Sequence, residues 1–179
     1  ADLTTLRVGG PVGALVTADS DTDLAAVGEV VVDRGLPWLV VGRGSNLLVA
    51  DDGWPGVVVT LGRGFRGIEY DGTRVRAGAA EPLPALAVRV AGEGLGGFAW
   101  AAAVPGSLGG AVRMNAGAHG GEMSEALVEV EVFRLRSRTR EVWAASALGL
   151  RYRHSELPDD AVVVGATLEL PRADADTLR

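Results

Sequence analysis

Two stretches of small residues hold the chemistry that this sequence can offer. The first, Val41-Gly42-Arg43-Gly44-Ser45-Asn46-Leu47-Leu48, follows the apolar run Pro37 to Val41. Glycine at such a strand end lets the backbone turn through positive φ and come close to a ligand, so that consecutive N–H groups converge on a phosphate. Ser45 and Asn46 would add side-chain donors. The spacing is neither Gly-x-Gly-x-x-Gly nor a Gly-Lys-Ser/Thr triphosphate loop, and a plain turn with a polar cap is the competing reading. The second stretch runs from Val104 through Pro105, Gly106, Ser107, Leu108, Gly109 and Gly110 to Asn115, Ala116, Gly117, Ala118 and Glu122. Its side chains are nearly all small, which exposes main-chain amides and leaves room for an extended ligand; a short helix packed closely through Gly109 and Gly110 is the alternative. Both stretches lack acidic residues at their centres, and together they favour a ligand containing a diphosphate.

Regular elements must position these loops. Ser20 and Asp23 form a capping box for a helix that ends at Gly35, with Leu24, Ala25, Val27, Val30 and Val31 at helical spacing. Pro37 to Val41 reads as a strand buried on both faces, and Val57 to Leu61 as another. Ile68 to Arg76 alternates around Asp71-Gly72, which predicts a hairpin with a type I′ turn. Pro82 opens a second helix that ends before Gly94. Leu127 to Leu135 and Glu141 to Trp143 form a second hairpin across Ser137-Arg138-Thr139, Ala161 to Leu170 is a last strand, and Arg172 to Arg179 shows no periodicity. The grouping predicts two α+β lobes, 1–65 and 66–170, followed by a tail or the start of another domain at 171–179.

Composition narrows the function further. The chain has 179 residues, 47% of them hydrophobic, enough for a sizeable core. It has no cysteine, which removes disulfides, zinc-thiolate sites and iron–sulfur clusters and makes the cytoplasm the expected location. A net charge of -6 argues against a nucleic-acid partner, and no apolar run is long enough to span a bilayer. His119 and His154 read as exposed loop residues, so no metal site is expected.

Five segments, in this order, carry a family resemblance: Thr5-Leu6-Arg7-Val8-Gly9-Gly10, Gly42 to Leu48, Pro105 to Ala111, Met114 to Ala118 with Gly121-Glu122, and Tyr152-Arg153-His154-Ser155. Together they cover nearly the whole chain, which resembles the FAD-binding part of the UDP-N-acetylenolpyruvoylglucosamine reductase family. That resemblance implies an α+β FAD-binding fold of the vanillyl-alcohol-oxidase (PCMH) type, with non-covalent FAD between two subdomains. It implies that Gly42, Arg43, Gly44, Ser45, Asn46 and Leu47 hold the pyrophosphate. Val104, Pro105, Gly106, Ser107, Gly109, Gly110, Asn115, Ala116, Gly117 and Ala118 would line the pyrophosphate, ribityl and flavin region, and Val163 and Gly165 would lie on a strand beside the nucleotide.

In the family, NADPH reduces the flavin and hydride then passes to the enolpyruvyl double bond of a UDP-sugar, a step of peptidoglycan precursor synthesis. Arg153 would be the catalytic arginine, binding the substrate carboxylate or polarising the enolate with Tyr152 beside it. On physics alone the pair reads equally as a surface arginine next to a half-buried tyrosine. The family's serine acid lies in a Gly-Ser-Phe-Phe-Lys-Asn-Pro-like motif of a further domain, which these 179 residues lack, so a complete reductase cycle is not expected of them alone. Ala99 and Ala103 stand where the family has a glutamate and a glycine. A monomer is expected. A non-catalytic flavin-binding module, or an FAD-linked oxidase of the same fold, are the alternatives.

Overall fold

The computed structural model describes residues 3–173. The first sheet is parallel and three-stranded: β1 (Val12–Ala18), β2 (Trp38–Val40) and β3 (Trp54–Leu61), in the order β1-β3-β2. The sequence reading above does not include β1, whose apolar run is broken at Gly13, where a side chain would press on the Pro55 carbonyl. Helix α1 (Asp21–Asp33) joins β1 to β2. Ser20 caps it by accepting from the Asp23 amide at 3.2 Å, while the Asp23 carboxylate reaches past Ser20 to the Asp19 amide at 2.8 Å. Strand β2 is not buried on both faces. It lies at a sheet edge, and Leu39 is 41% exposed, because the cleft described below opens beside it.

The second sheet has five strands whose neighbours all run antiparallel, in the order β4-β5-β10-β8-β9. These are β4 (Ile68–Asp71), β5 (Arg74–Gly78), β8 (Leu127–Arg134), β9 (Thr139–Ala144) and β10 (Ala161–Glu169). Between β5 and β8 lie helices α2 (Leu83–Gly92) and α3 (Leu108–Arg113) and a two-residue-stranded hairpin, β6 (Gly117–Ala118) with β7 (Gly121–Glu122). The β4–β5 turn is Gly72-Thr73, since Asp71 pairs with Arg74. Among its two central residues only Gly72 has positive φ, at +64°, which is the requirement of type II′; the type I′ expectation fails because Asp71 stays in the strand. Residues 171–173 pack back on the molecule, with the Ala173 amide donating to Gly94 at 3.0 Å. The remainder of the expected tail, 174–179, lies outside the described residues.

The centre of the five-stranded sheet, along β10, is buried on both faces, while the edge strands β4 and β9 are largely exposed. On one face α2, α3 and the turn at Ala99–Ala103 cover Val75, Ala77, Val130, Val132, Ala166 and Leu168; on the other, α1 and the three-stranded sheet cover Phe133, Leu135, Val162 and Val164. A bulge between Val163 and Gly165 carries this arrangement. Ala161 and Val163 face the first core, and the extra residue shifts the parity so that Ala166 and Leu168 face it too. Helix α1 comes so close to the sheet that a side chain at Gly28 would stand 2.5 Å from the Leu135 carbonyl.

Charges tie the layers together. Glu131, 7% exposed on β8, receives Arg76 of β5 at 2.7 Å and Arg140 of β9 at 2.8 Å, and Arg140 also grips Asp21 of α1 at 2.7 Å. At the other end of α1, Asp33 pairs with Arg138 at 2.6 Å. Hydrogen bonding from Arg76, with Arg140 assisting, holds the Glu131 carboxyl below the usual carboxylate range despite burial. A depressed carboxylate contributes stability at pH above its unfolded value of about 4.3 and loses it as pH falls through the lower folded value. Glu131→Gln should therefore cost about 1–3 kcal/mol near neutral pH, a fall in Tm of several degrees. The difference from the unmutated chain should shrink as melting is followed down to about pH 3; an unchanged gap would show that the charge is not what stabilises this layer.

Candidate functional site

A cleft of about 1400 Å³ runs between the two sheets. One wall is β2 with the loop that follows it, Val41 to Leu47; the opposite wall is Ala79, Ala80, Leu83 and the segment from Val104 to Ala111, with Val163 of β10 also lining it. The two glycine-bearing stretches, sixty residues apart in the chain, meet at its floor. The Ser45 hydroxyl donates to the Pro105 carbonyl, a side chain at Gly42 would land on the Ser107 hydroxyl, and a Cβ at Gly106 would stand 3.5 Å from Ser45 Oγ. Gly44 sits at φ +60°, and any Cβ there would strike the Leu3 carbonyl. The N-terminal arm holds the loop from behind, with the Thr5 amide donating to the Gly44 carbonyl at 3.1 Å.

The two stretches differ in what they leave free. Among the described residues, no backbone amide from 42 to 47 donates to a protein acceptor. In the second stretch the Leu108 and Gly109 amides are already spent on the Glu81 and Ala79 carbonyls, both at 2.9 Å, and Ser107 caps α3 by accepting from Gly110 at 3.4 Å. The short helix read as an alternative from the sequence is present, and it forms the cleft wall. Gly109 lets α3 approach β5, since a Cβ there would meet that of Ala79 at 2.9 Å.

Of the residues expected at the site, Gly42 to Leu47, Val104 to Ser107, Gly109, Gly110, Ala116, Gly117, Val163 and Arg153 line the cleft. Four do not. Asn115 is fully buried behind the wall. Ala118 pairs with Gly121 in the β6–β7 hairpin. Gly165 lies at the bulge of β10, where it makes room for Glu131: a Cβ there would be 3.3 Å from the Glu131 carboxylate. Tyr152 is 81% exposed and stacks on its neighbour, with the Arg153 guanidinium 4.9 Å from its ring. Arg153 itself donates to the Gly117 carbonyl at 2.6 Å from a left-handed backbone, φ +54°.

Sequence reasoning missed the arginines contributed by other elements. Arg66, Arg113 and Arg136 line the cleft beside Arg43 and Arg153, against only two acids, Asp159 and Asp160. Both acids are engaged, Asp159 by Arg113 at 3.6 Å and Asp160 by Arg134 at 2.7 Å. Burial pushes the Asp160 carboxyl up, and its hydrogen bonds from Arg134 more than offset that, leaving it below its ordinary value. Among the described residues the guanidinium groups of Arg43, Arg66 and Arg136 have no ion-pair or hydrogen-bond partner in the protein. Nothing in their spacing marks them; only the fold gathers them.

Unpaired amides and cations around one cleft suit an anionic ligand, and the comparisons with known proteins agree. Residues 12–142, well over half of the chain, match the family described as FAD binding domain. The chain belongs to that family. Within it, this FAD binding domain is 46% identical over 168 residues to the UDP-N-acetylenolpyruvoylglucosamine reductase of Methylorubrum extorquens strain PA1, covering 93% of this chain and 54% of that one. It is 38% identical over 180 residues to the reductase of the same name from Bacillus subtilis, covering 99% and 59%. The chain thus spans somewhat over half the length of these relatives. The crystal structure of the reductase from Thermus caldophilus matches with a TM-score of 0.86 at 38% identity, over 99% of this chain and 62% of that one. BBE-like 1 of Physcomitrella patens matches at a TM-score of 0.67 and 17% identity, over 93% and 39%, a likeness of fold alone. The resemblance read from five segments is borne out, and the fold is the α+β FAD-binding fold of the vanillyl-alcohol-oxidase type. No helix among the described residues is long and apolar enough to cross a membrane.

Gly44→Val tests the loop geometry. Forcing a β-branched residue to positive φ against the Leu3 carbonyl should cost about 2–3 kcal/mol. A Tm equal to that of the unmutated apo chain would mean that the loop does not hold this conformation.

Proposed function

We propose that this chain binds FAD non-covalently in the cleft and serves as the cofactor half of an NADPH-dependent reductase acting on an enolpyruvyl UDP-sugar in peptidoglycan precursor synthesis. The observation that carries the reading is the conjunction, in a chain of net charge -6, of unpaired amides at residues 42–47 and unpaired guanidiniums at Arg43, Arg66 and Arg136 around one cleft. A diphosphate accepts from such amides and is neutralised by such cations. The residues present therefore fit the group.

The lobes at 1–65 and 66–170 would grip the cofactor from either side. Gly42 to Leu47 would receive the diphosphate on their N–H groups, with Ser45 and Asn46 orienting it. Val104 to Gly110, Ala116 and Gly117 would present a small-residue surface to the flatter parts of the ligand, and Val163 would close the floor. When bound, FAD supplies hydride transfer between the nicotinamide and the substrate. Arg153, permanently charged and aimed by the Gly117 carbonyl, would bind the substrate carboxylate and stabilise negative charge developing there. Tyr152 would pack beside it. A cytoplasmic location accords with a cysteine-free chain and a UDP-linked substrate.

Titration of the apo chain with FAD, followed by flavin fluorescence, tests this. We expect saturable one-to-one binding that weakens as salt is raised, and a loss of about tenfold or more in affinity when Arg43 and Arg136 are both changed to alanine. A chain that binds no flavin, or that binds it equally well without these arginines, would overturn the assignment. Bleaching of the bound flavin by NADPH without air is the expected sign that the nicotinamide can approach it.

A further inference from the structure

We propose that Asn115 is a positioning residue: it holds the turn that carries Arg153 and thereby aims that guanidinium into the cleft, without touching the cofactor. The inference rests on the reading of Arg153 as the anion-binding arginine of the proposed reductase.

Asn115 is 0% exposed and does not line the cleft. Its side chain is committed on every side. The Nδ2 group donates to the Arg151 carbonyl at 3.1 Å, and Oδ1 accepts from the Ser124 amide at 2.9 Å. The neighbouring Glu122 carboxylate is held below its ordinary range by the Ser124 hydroxyl first, with Asn115 and the nearby Arg153 charge assisting. An asparagine amide offers two donors and one acceptor oxygen, so little is left for a ligand. Its backbone lies at φ +40°, a left-handed conformation that asparagine tolerates better than most residues. Its carbonyl in turn accepts from Arg153 Nη1 at 3.4 Å.

The turn that Asn115 holds has little else to fix it. Arg151 and His154 bridge each other through backbone bonds of 2.9 and 3.1 Å, and Arg153 sits strained between them at φ +54°. Apart from the exposed Arg151 side chain, which meets Glu156 at 3.3 Å and the His154 ring at 3.0 Å, the ties run to the segment 113–117: Ser155 Oγ to the Arg113 carbonyl at 2.7 Å, Arg153 to the Asn115 and Gly117 carbonyls, and Asn115 to Arg151. Tyr152 and His154 are exposed, and Tyr152 stacks on Arg153 from the solvent side. Asn115 is thus the only buried side chain among these ties, and it joins the turn to the start of the strand system through Ser124. Without its amide the Arg151 carbonyl keeps only the His154 amide inside the turn and loses its tie to the segment 113–117, the strained turn relaxes, and the guanidinium regains rotameric freedom that would have to be lost again whenever an anion binds.

The side-chain Nε–Hε resonance of Arg153 in the 15N-labelled apo chain, assigned by its disappearance in Arg153→Lys, reads the aim of the guanidinium directly. In Asn115→Gly, which keeps the left-handed backbone, that resonance should move toward the position of free arginine and exchange faster, while the FAD dissociation constant stays within about threefold of the unmutated chain. Asn115→Asp keeps the acceptor for Ser124 but loses the donor to Arg151, and should show the same displacement if the glycine variant does not fold. An Arg153 signal that stays put in either folded variant overturns the proposal. So does an FAD titration of the unmutated chain in which the Asn115 side-chain amide signals shift as far as those of Asn46, since that would make Asn115 a cofactor ligand. If the chain binds no FAD at all, the functional reading fails, and the apo comparison of the Arg153 signal still decides the role of Asn115.

Discussion

The site depends on one constraint: two segments from opposite walls of the cleft must approach closely enough that only the short hydroxyls of Ser45 and Ser107 fit between them. Gly42 leaves room for the Ser107 hydroxyl, and Gly44 passes under the Leu3 carbonyl, only because neither position carries a Cβ. Glycine loses more conformational entropy on folding than any other residue, so such a loop is disfavoured unless something fixes it. Here the N-terminal arm does so, through the Thr5 amide and the close pass of Leu3 over Gly44. The result is a run of amides oriented before any ligand arrives, which spares a ligand the cost of ordering them.

The same constraint explains why the second glycine stretch plays a different part. Its amides at Leu108 and Gly109 are used to dock α3 onto the ends of β5 and α2, through the Ala79 and Glu81 carbonyls. Glycine there serves helix-to-strand packing, and the cleft gains a smooth wall. The five-stranded sheet behind that wall must be rigid on both faces, and the bulge in β10 provides for this by letting one strand feed two cores. The ion pairs from Asp21 through Arg140 and Glu131 to Arg76 then fix α1 against three strands, with the other end of α1 held by Asp33 and Arg138.

Much of this was legible in the sequence where one local signal sufficed. Ser20 capping α1, Gly35 and Gly94 at positive φ past helix ends, the alternation of β8 and the apolar run of β10 are local physics that the fold does not override. The glycine loops were legible because several small residues fall together. What escaped was either short or non-local. Strand β1 is interrupted by Gly13 and mostly exposed, so no periodicity marks it. Gly165 was read as a ligand contact, whereas it accommodates a carboxylate from a neighbouring strand, a fact that requires knowing that β8 and β10 are paired with a bulge. Asn115 lies in a motif of small residues, and only its burial shows that it serves the protein interior.

The arginines form the clearest case of information that exists only in three dimensions. Along the chain they look like ordinary surface charge, and those on the sheet behave so: Arg74, Arg76, Arg134, Arg138 and Arg140 each face a carboxylate within 3.1 Å. Folding separates from them a second group, Arg43, Arg66 and Arg136, that converges on the cleft from three different elements, where the two lining acids, Asp159 and Asp160, are paired with other arginines. Leaving three cations unpaired in a chain with an excess of carboxylates contributes nothing to stability, since partners were available elsewhere on the surface. A cleft lined by one sign of charge, with low-dielectric walls, focuses field lines and concentrates counter-ions. The arrangement therefore makes physical sense as recruitment: in a chain of net charge -6, unpaired cations gather at one cleft, where the amides of residues 42–47 meet no protein acceptor among the described residues.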